Sequence, residues 1–115
     1  MDENCLFCRI VSGEIEAKKV HEDALSVAFE DINPVAPVHI LIIPRKHIAT
    51  IDDIGPDDTE LIGHLFQVAR NIARDKGLSE SGYRLVINCK ADAGQLVFHV
   101  HLHLTGGRGF TWPPG

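Results

Sequence analysis

Three histidines alternate with apolar residues near the C-terminal end of the chain. His99, His101 and His103 share one face of an extended backbone, because strand side chains point to alternate faces. The apolar residues between them then point into a core: Val100, Leu102 and Leu104. Each imidazole has two ring nitrogens and an ordinary pKa of about 6.5, so it can act as nucleophile, proton carrier or metal ligand. Periodicity alone does not separate these roles from a half-buried strand whose polar face is histidine.

Composition excludes several classes of function. The chain has 115 residues, 44% of them hydrophobic, and a formal net charge of -5. One domain spanning residues 1–115 is expected, and the negative charge argues against binding a nucleic acid polymer, although a single nucleotide needs only a local site. No apolar run reaches membrane-spanning length, and the acidic start at residues 1–4 does not resemble a signal peptide. Three cysteines, an odd number, indicate reduced thiols and a cytoplasmic location.

The elements that must position the histidines follow from local patterns. Five segments predict strands: residues 19–21, 25–30, 39–44, 83–89 and 98–104. Residues 5–11 predict a short helix, and a wide apolar stripe from Leu61 to Ala73, including Phe66, predicts a long helix ending at Gly77. His64 falls on the solvated face of that helix, and Cys89 is expected to be a buried strand residue. The predicted fold class is α+β, a mostly antiparallel five-stranded sheet with the long helix against one face.

Several segments together carry a family resemblance. The stretch FHVHLHLTGGRGFTWPPG resembles the signature of the histidine triad family, His-φ-His-φ-His-φ-φ, where φ is apolar. The segments EDINPVAPVHILIIPRKHI and GYRLVIN are similar to the branch of small nucleotide-binding members that hydrolyse purine nucleoside phosphoramidates. The resemblance covers nearly the whole chain. It implies the predicted fold and a homodimer in which the two sheets continue edge to edge, with the tail that contains Trp112 near the partner subunit.

The resemblance also implies a reaction. His101 is expected to attack the α-phosphorus of an adenylated amine or acyl-adenylate, giving a covalent nucleotidyl-histidine that water hydrolyses to AMP or GMP. His103 is expected to donate a hydrogen bond to a non-bridging phosphate oxygen. His39 matches a further histidine that supports the hydrogen-bonded network beside the reacting centre. No organic cofactor is implied.

The same comparison implies a nucleotide pocket. Asp31 matches a residue that binds the ribose hydroxyls, while Phe29 and Ile32 match the apolar walls on either side of the purine. Four residues match contacts on the phosphate side: Asn88, Gly94, Gln95 and Leu96. Leu96 departs from the family pattern, because several relatives carry serine or another polar residue there. A leucine side chain donates no hydrogen bond, so only its backbone N–H could contribute.

The pair Cys5 and Cys8 is a second cluster. Alone, Cys-x-x-Cys fits a redox pair, half of a zinc site, or two buried thiols. No strand-then-helix pattern of thioredoxin type surrounds it, which disfavours the redox interpretation. By family resemblance, Cys5, Cys8, His47 and His99 are expected to hold a structural zinc ion.

Three alternatives remain open from the sequence. The first is a nucleotide-binding or scaffolding module with little turnover. The second is a dinucleotide hydrolase or nucleotidyl transferase of the same superfamily, which the short chain disfavours. The third makes His99, His101 and His103 ligands of one metal ion, and the lack of a carboxylate in the motif disfavours it.

Overall fold

Five strands and three α-helices make up the computed structural model, which describes residues 4–115. In chain order they are α1 (Leu6–Val11), β1 (Lys19–Glu22), β2 (Ser26–Glu30), β3 (Val38–Pro44), α2 (Thr59–Asp75), β4 (Tyr83–Val86), α3 (Lys90–Ala93) and β5 (Leu102–Gly106). The strands form one sheet in the order β1-β2-β3-β5-β4, and every neighbouring pair is antiparallel. The predicted α+β class is therefore confirmed. The prediction about the acidic start of the chain falls mostly on residues 1–3, which lie outside the described residues.

The strand that carries the histidines is displaced from its predicted bounds. It begins at Leu102 rather than residue 98, and its ladder with β3 starts at the pair Ile42 and Leu102. Beyond that pair β3 ends at Pro44, which has no N–H to continue a ladder. The Val100 N–H instead donates to the Ile48 carbonyl at 2.7 Å. The predicted apolar face is confirmed, since these three side chains are buried in the core: Val100, Leu102 and Leu104.

The long helix α2 covers one face of the sheet. Its buried residues pack against Ile40 and Ile42 of β3, as the apolar stripe predicts: Leu65, Val68, Ala69, Ile72 and Ala73. Phe66, which the stripe included, is instead 41% exposed. Gly77 follows the helix with φ +75°, the left-handed conformation expected of a C-terminal glycine. Among residues 4–115, no helix is long and apolar enough to cross a membrane.

The short helix α1 covers part of the opposite face. Phe7 and Ile10 of this helix pack with Phe29 of β2 and Leu41 of β3 in a second apolar cluster. Cys5 caps the helix, because its Sγ accepts the Cys8 N–H at 3.3 Å. Residues of β2 and β3 alternate between the two clusters, so each face of the sheet is held by one helix. This second face is the one that carries the histidines.

The segment after β4 differs from its prediction. The strand ends at Val86, and α3 follows Cys89, which is half-buried rather than a buried strand residue. A buried Gln95 side chain closes this segment, accepting the Lys90 N–H at 2.7 Å and donating to the Ala49 carbonyl at 2.8 Å. These two hydrogen bonds tie Gln95 to its own segment and to a residue 46 positions away.

A carboxylate ties α2 to the hairpin of β1 and β2. Asp23 Oδ2 accepts hydrogen bonds from His21 at 2.7 Å, His64 at 2.8 Å and the Ser26 hydroxyl at 2.9 Å. His64 is therefore bonded and half-buried, so the prediction of a solvated residue is wrong. Partial burial opposes ionisation, but the bonds from His21, the Leu25 amide, His64 and Ser26 outweigh it. They hold the pKa of the Asp23 carboxyl well below its ordinary value.

We expect Asp23→Asn to lower the free energy of unfolding by about 1.5–3 kcal/mol at pH 7, the range for hydrogen bonds to a charged group. Because the folded pKa of Asp23 is depressed, its stabilisation is complete above the unfolded value of 3.8 and is lost as the pH falls below it. Urea unfolding should show an equal deficit at pH 7 and pH 5 and a smaller one at pH 3. The exposed Asp75→Asn is the control, and a deficit that does not change with pH would contradict the role of the charge.

Candidate active site and metal centre

A cleft of about 330 Å³ opens on the histidine-bearing face of the sheet. Of the predicted nucleotide-site residues, these line it: Phe29, Asp31, Ile32, Asn88, Gly94, Leu96, His101 and His103. Phe29 is only 4% exposed and belongs both to the apolar core and to the cleft wall. Ile32 and Leu96 are each 91% exposed, so two apolar side chains stand free at the cleft. The cleft thus combines apolar walls with a carboxylate and two imidazoles.

His101 presents one ring nitrogen for reaction. Its Nδ1 lies 2.7 Å from the His99 carbonyl, an acceptor, so Nδ1 carries the proton and the lone pair is on Nε2. Burial lowers the pKa of His101 below its ordinary value, which keeps the ring neutral at pH 7. The edge of the Phe7 ring packs against the imidazole, with centroids 5.1 Å apart and planes at 88°. The geometry leaves a fixed, neutral nitrogen base beside the cleft.

His39 and His103 form a hydrogen-bonded pair beside His101. His39 Nε2 lies 3.0 Å from His103 Nδ1 and 3.4 Å from Asp31 Oδ2. Burial, reinforced by the neighbouring His101 and His39, lowers the pKa of His103 to about 4. Among the described residues, His103 Nε2 is the one buried side-chain nitrogen or oxygen without a hydrogen-bond partner. An unpartnered polar atom of this kind beside a cleft is suited to a ligand.

The three histidines of the alternating stretch do not converge on one point. His99 groups with two cysteines and His47, and His103 groups with Asp31 and His39, whereas His101 belongs to neither group among residues 4–115. A single metal ion bound by all three is therefore ruled out by geometry. The Asp31 group is also unsuited to a metal ion, because the Val35 N–H donates to His39 Nδ1 at 3.2 Å. That bond uses the lone pair of neutral His39 on Nδ1 and leaves the proton on Nε2. Nε2 is the atom that faces Asp31 and His103, so it offers them a proton and has no lone pair for a metal ion.

Cys5, Cys8, His47 and His99 come together as a group that could hold a metal ion. Cys5 Sγ lies 3.3 Å from His99 Nδ1, and Cys8 Sγ lies 3.2 Å from His47 Nδ1. The two Nδ1 atoms are 3.2 Å apart, and all four ligand atoms lie within 4.8 Å of one another. A tetrahedral ion with bonds of about 2.0–2.3 Å separates its ligand atoms by about 3.3–3.8 Å, so the spacing fits.

The protonation of His99 also fits a metal ligand. Its Nε2 lies 2.8 Å from the Pro44 carbonyl, so Nε2 carries the proton and Nδ1 offers its lone pair to the two thiols and His47. Burial lowers the pKa of His99 to about 4, which keeps the ring neutral at pH 7. A backbone carbonyl in this position is the usual support of a metal-bound imidazole.

Some features of the site were not predicted from the sequence. Phe7 lines the cleft and contacts both His101 and Phe29. In the sequence it lies between Cys5 and Cys8, and that position indicates only an apolar residue of a short helix. Gln95, in contrast, was expected on the phosphate side and does not line the cleft. Its side chain is engaged by the segment around α3, as described above.

A second cleft of about 380 Å³ lies on the other side of the histidine pair. It shares His103 and Asn88 with the first cleft and is otherwise lined in part by the C-terminal tail, including Phe110, Thr111, Pro113 and Pro114. The Arg84 guanidinium of β4 donates to the Thr111 carbonyl at 2.9 Å and so holds the tail against the sheet edge. Trp112 itself is 83% exposed.

The fold and the arrangement of histidines define a known class of protein, and the chain belongs to the HIT family. The HIT domain model matches residues 12–110. An uncharacterized HIT-like protein of Synechocystis sp. is 49% identical over 115 residues, with 100% of both chains covered. The purine nucleoside phosphoramidase of Escherichia coli K12 is 44% identical over 108 residues, which covers 94% of this chain and 91% of that protein. The crystal structure of a HIT family hydrolase from Legionella pneumophila Philadelphia 1 superposes with a TM-score of 0.96 at 57% identity, covering 97% of this chain and 100% of that one.

Proposed function

We propose that this protein is a hydrolase that cleaves the P–N bond of purine nucleoside phosphoramidates and releases AMP or GMP. One observation carries the proposal: the free Nε2 of neutral His101 stands beside a cleft that also presents the unpartnered Nε2 of His103. A nucleophile and a hydrogen-bond donor for developing charge are what phosphoryl transfer requires. The 44% identity to a purine nucleoside phosphoramidase supports the substrate class, and acyl-adenylates present the same phosphorus.

The proposed reaction has two displacements. The His101 Nε2 lone pair attacks the α-phosphorus, the P–N bond to the amine breaks, and the leaving nitrogen takes a proton from solvent. Water then attacks the same phosphorus and loses a proton to solvent, and the bond to His101 breaks to release the nucleotide and restore the neutral imidazole. His103 Nε2–H donates to a non-bridging oxygen in both steps, and its partner His39 holds it in place.

The nucleotide would lie along the first cleft. Asp31 accepts hydrogen bonds from the ribose hydroxyls, while Phe29 and Ile32 contact the two faces of the purine. Asn88, Gly94 and the backbone around Leu96 lie on the phosphate side. The leaving amine would face the second cleft, which shares His103 with the first.

We expect His101→Ala to reduce AMP release from tryptamine adenosine phosphoramidate by at least about 10³-fold, because the variant has no nucleophile. Binding of AMP itself should persist, since the cleft walls remain. Release is measured by chromatography of the product, and AMP binding by calorimetry.

His21→Ala is the matched control, because it removes a histidine that lies outside the cleft. Equal AMP release by wild type and His101→Ala would contradict the mechanism. Wild-type protein that binds AMP but releases none from the substrate would indicate the binding-module alternative instead.

We also propose that Cys5, Cys8, His47 and His99 hold a structural zinc ion. Two thiolates and two imidazoles fill a tetrahedral shell and leave no position for substrate, so the ion would link α1 to the sheet rather than take part in the reaction. Thiolates that bind zinc must stay reduced, which agrees with a cytoplasmic location.

Protein purified without chelator should contain about one zinc ion per chain, as expected for one closed site. Cys8→Ser should lose the ion and unfold at a lower urea concentration, because metal binding contributes directly to folding. Cys89→Ser, outside the group, should keep both the zinc and the stability. Elemental analysis and urea unfolding measure these quantities. Zinc-free protein in which all three thiols react as free cysteines would contradict the site.

We propose further that two copies pair through β4. This strand is one of the two outer strands of the sheet, and it is the one beside the C-terminal tail, so the N–H and C=O groups on its outer side can bond to a second copy. The tail beside it carries the exposed Trp112, an aromatic residue of the type that anchors interfaces. A dimer built in this way brings each tail to the partner subunit and to the side of the site where the leaving group departs.

Light scattering should give twice the single-chain mass of 12.7 kDa. Deletion of residues 110–115 should weaken the dimer and change the preference among leaving amines, because the tail lines the second cleft. Leu25→Ala, at an exposed apolar residue in the turn between β1 and β2, is the control and should keep the wild-type mass. Full dimerisation and unchanged selectivity in the truncated protein would show that the tail has neither role.

A further inference from the structure

The backbone of Val35 is bonded on both sides. Its N–H donates to His39 Nδ1 at 3.2 Å, and its carbonyl accepts from Arg108 Nε at 3.0 Å. Val35 lies in the loop between β2 and β3, and its side chain is 59% exposed. Packing of the side chain therefore does little to fix this residue. The two backbone hydrogen bonds hold it in place.

Arg108 is itself held firmly. Its Nη1 donates to the Gly109 carbonyl at 3.0 Å, and its guanidinium carbon lies 4.3 Å from the centre of the Phe110 ring. The turn before Arg108 also packs closely against the same loop. Gly107, where φ is +91°, lies so near Pro37 that a Cβ added to the glycine would be 2.9 Å from Pro37 Cβ. The turn after β5 and the loop before β3 are thus fitted to each other by two independent contacts.

The hydrogen bond from the Val35 N–H sets the proton positions of His39 and, through His39, of His103. A ring nitrogen that accepts an N–H carries no proton, so neutral His39 has its proton on Nε2. Nε2–H then donates to His103 Nδ1 at 3.0 Å, and His103 must carry its own proton on Nε2. That atom is the buried, unpartnered nitrogen beside the cleft. The Val35 amide therefore determines that His103 Nε2 carries a proton toward the cleft and not a lone pair.

We propose that Arg108 is a positioning residue, which tethers Val35 and thereby fixes the protons of His39 and His103 so that His103 Nε2–H is directed at the ligand. Without the tether, the Val35 amide can turn away, and a proton can settle on His39 Nδ1. His39 Nε2 then accepts from His103 Nδ1, and His103 Nε2 presents a lone pair that repels a phosphate oxygen. The consequence for catalysis rests on the proposed function, whereas the proton positions do not.

Long-range proton–nitrogen correlation spectra of the histidine rings test the proposal directly. In wild-type protein with ¹⁵N-labelled histidine, His39 and His103 should both show the Nε2–H tautomer, with signals assigned from His39→Gln and His103→Gln. Arg108→Met removes the donor but keeps an apolar chain beside Phe110, and it should move both rings toward the Nδ1–H form. Arg108→Leu, which has no hydrogen-bond donor in its side chain, should shift them in the same direction and serves if the first variant folds poorly.

Arg84→Met is the matched control. Arg84 also lies over Phe110, at 5.0 Å, and bonds the tail, but it does not contact Val35. Its removal should leave both tautomers as in wild type. Unchanged tautomers in folded Arg108→Met or Arg108→Leu would overturn the proposal, as would an equal shift in Arg84→Met.

Kinetics supply a second, separate readout. Arg108→Met should lower kcat for the phosphoramidate about tenfold, equivalent to one hydrogen bond of roughly 1.4 kcal/mol, with KM nearly unchanged. A wild-type protein without phosphoramidase activity would refute the proposed function while leaving the tautomer result intact. A tautomer shift with unchanged kcat in an active enzyme would overturn the catalytic part of the proposal.

Discussion

Hydrogen bonds between main-chain groups and histidine rings are the constraint on which the site depends. The Pro44 carbonyl leaves His99 with a lone pair on Nδ1, and the His99 carbonyl leaves His101 with one on Nε2. The Val35 amide does the opposite for His39, using its lone pair and leaving a proton on Nε2. Chemically identical side chains thus present a lone pair toward the candidate metal group, a lone pair beside the cleft and a proton toward His103, because the backbone places different partners beside them.

The alternation of residues 99–104 was predictable because period two is a local property of an extended chain. The three apolar residues lie in the core as predicted, although the strand itself starts only at Leu102. That boundary depends on Pro44 of the neighbouring strand, which the histidine stretch itself does not reveal. His64 was misassigned for a similar reason, since its partner Asp23 lies 41 positions away and helical periodicity describes only one helix at a time.

Periodicity could not predict that the three histidines would lie in different groups. Their spacing is uniform, yet His99 turns toward the cysteines of α1 while His103 turns toward His39. Only the family resemblance separated these roles. Neither periodicity nor the resemblance indicated Phe7, although its ring packs against both His101 and His99, which belongs to the candidate metal group.

The bond that orients His101 comes from the carbonyl of residue 99, and any amino acid supplies a carbonyl. The orientation of the His101 ring therefore does not depend on which side chains form the candidate metal group. A descendant could exchange the cysteines and His99 for apolar residues, fill the space around α1, and still inherit an imidazole aimed at the cleft. If the proposed zinc ion is bound, it would be an optional part of this architecture, because the main-chain bond that orients His101 would persist without it.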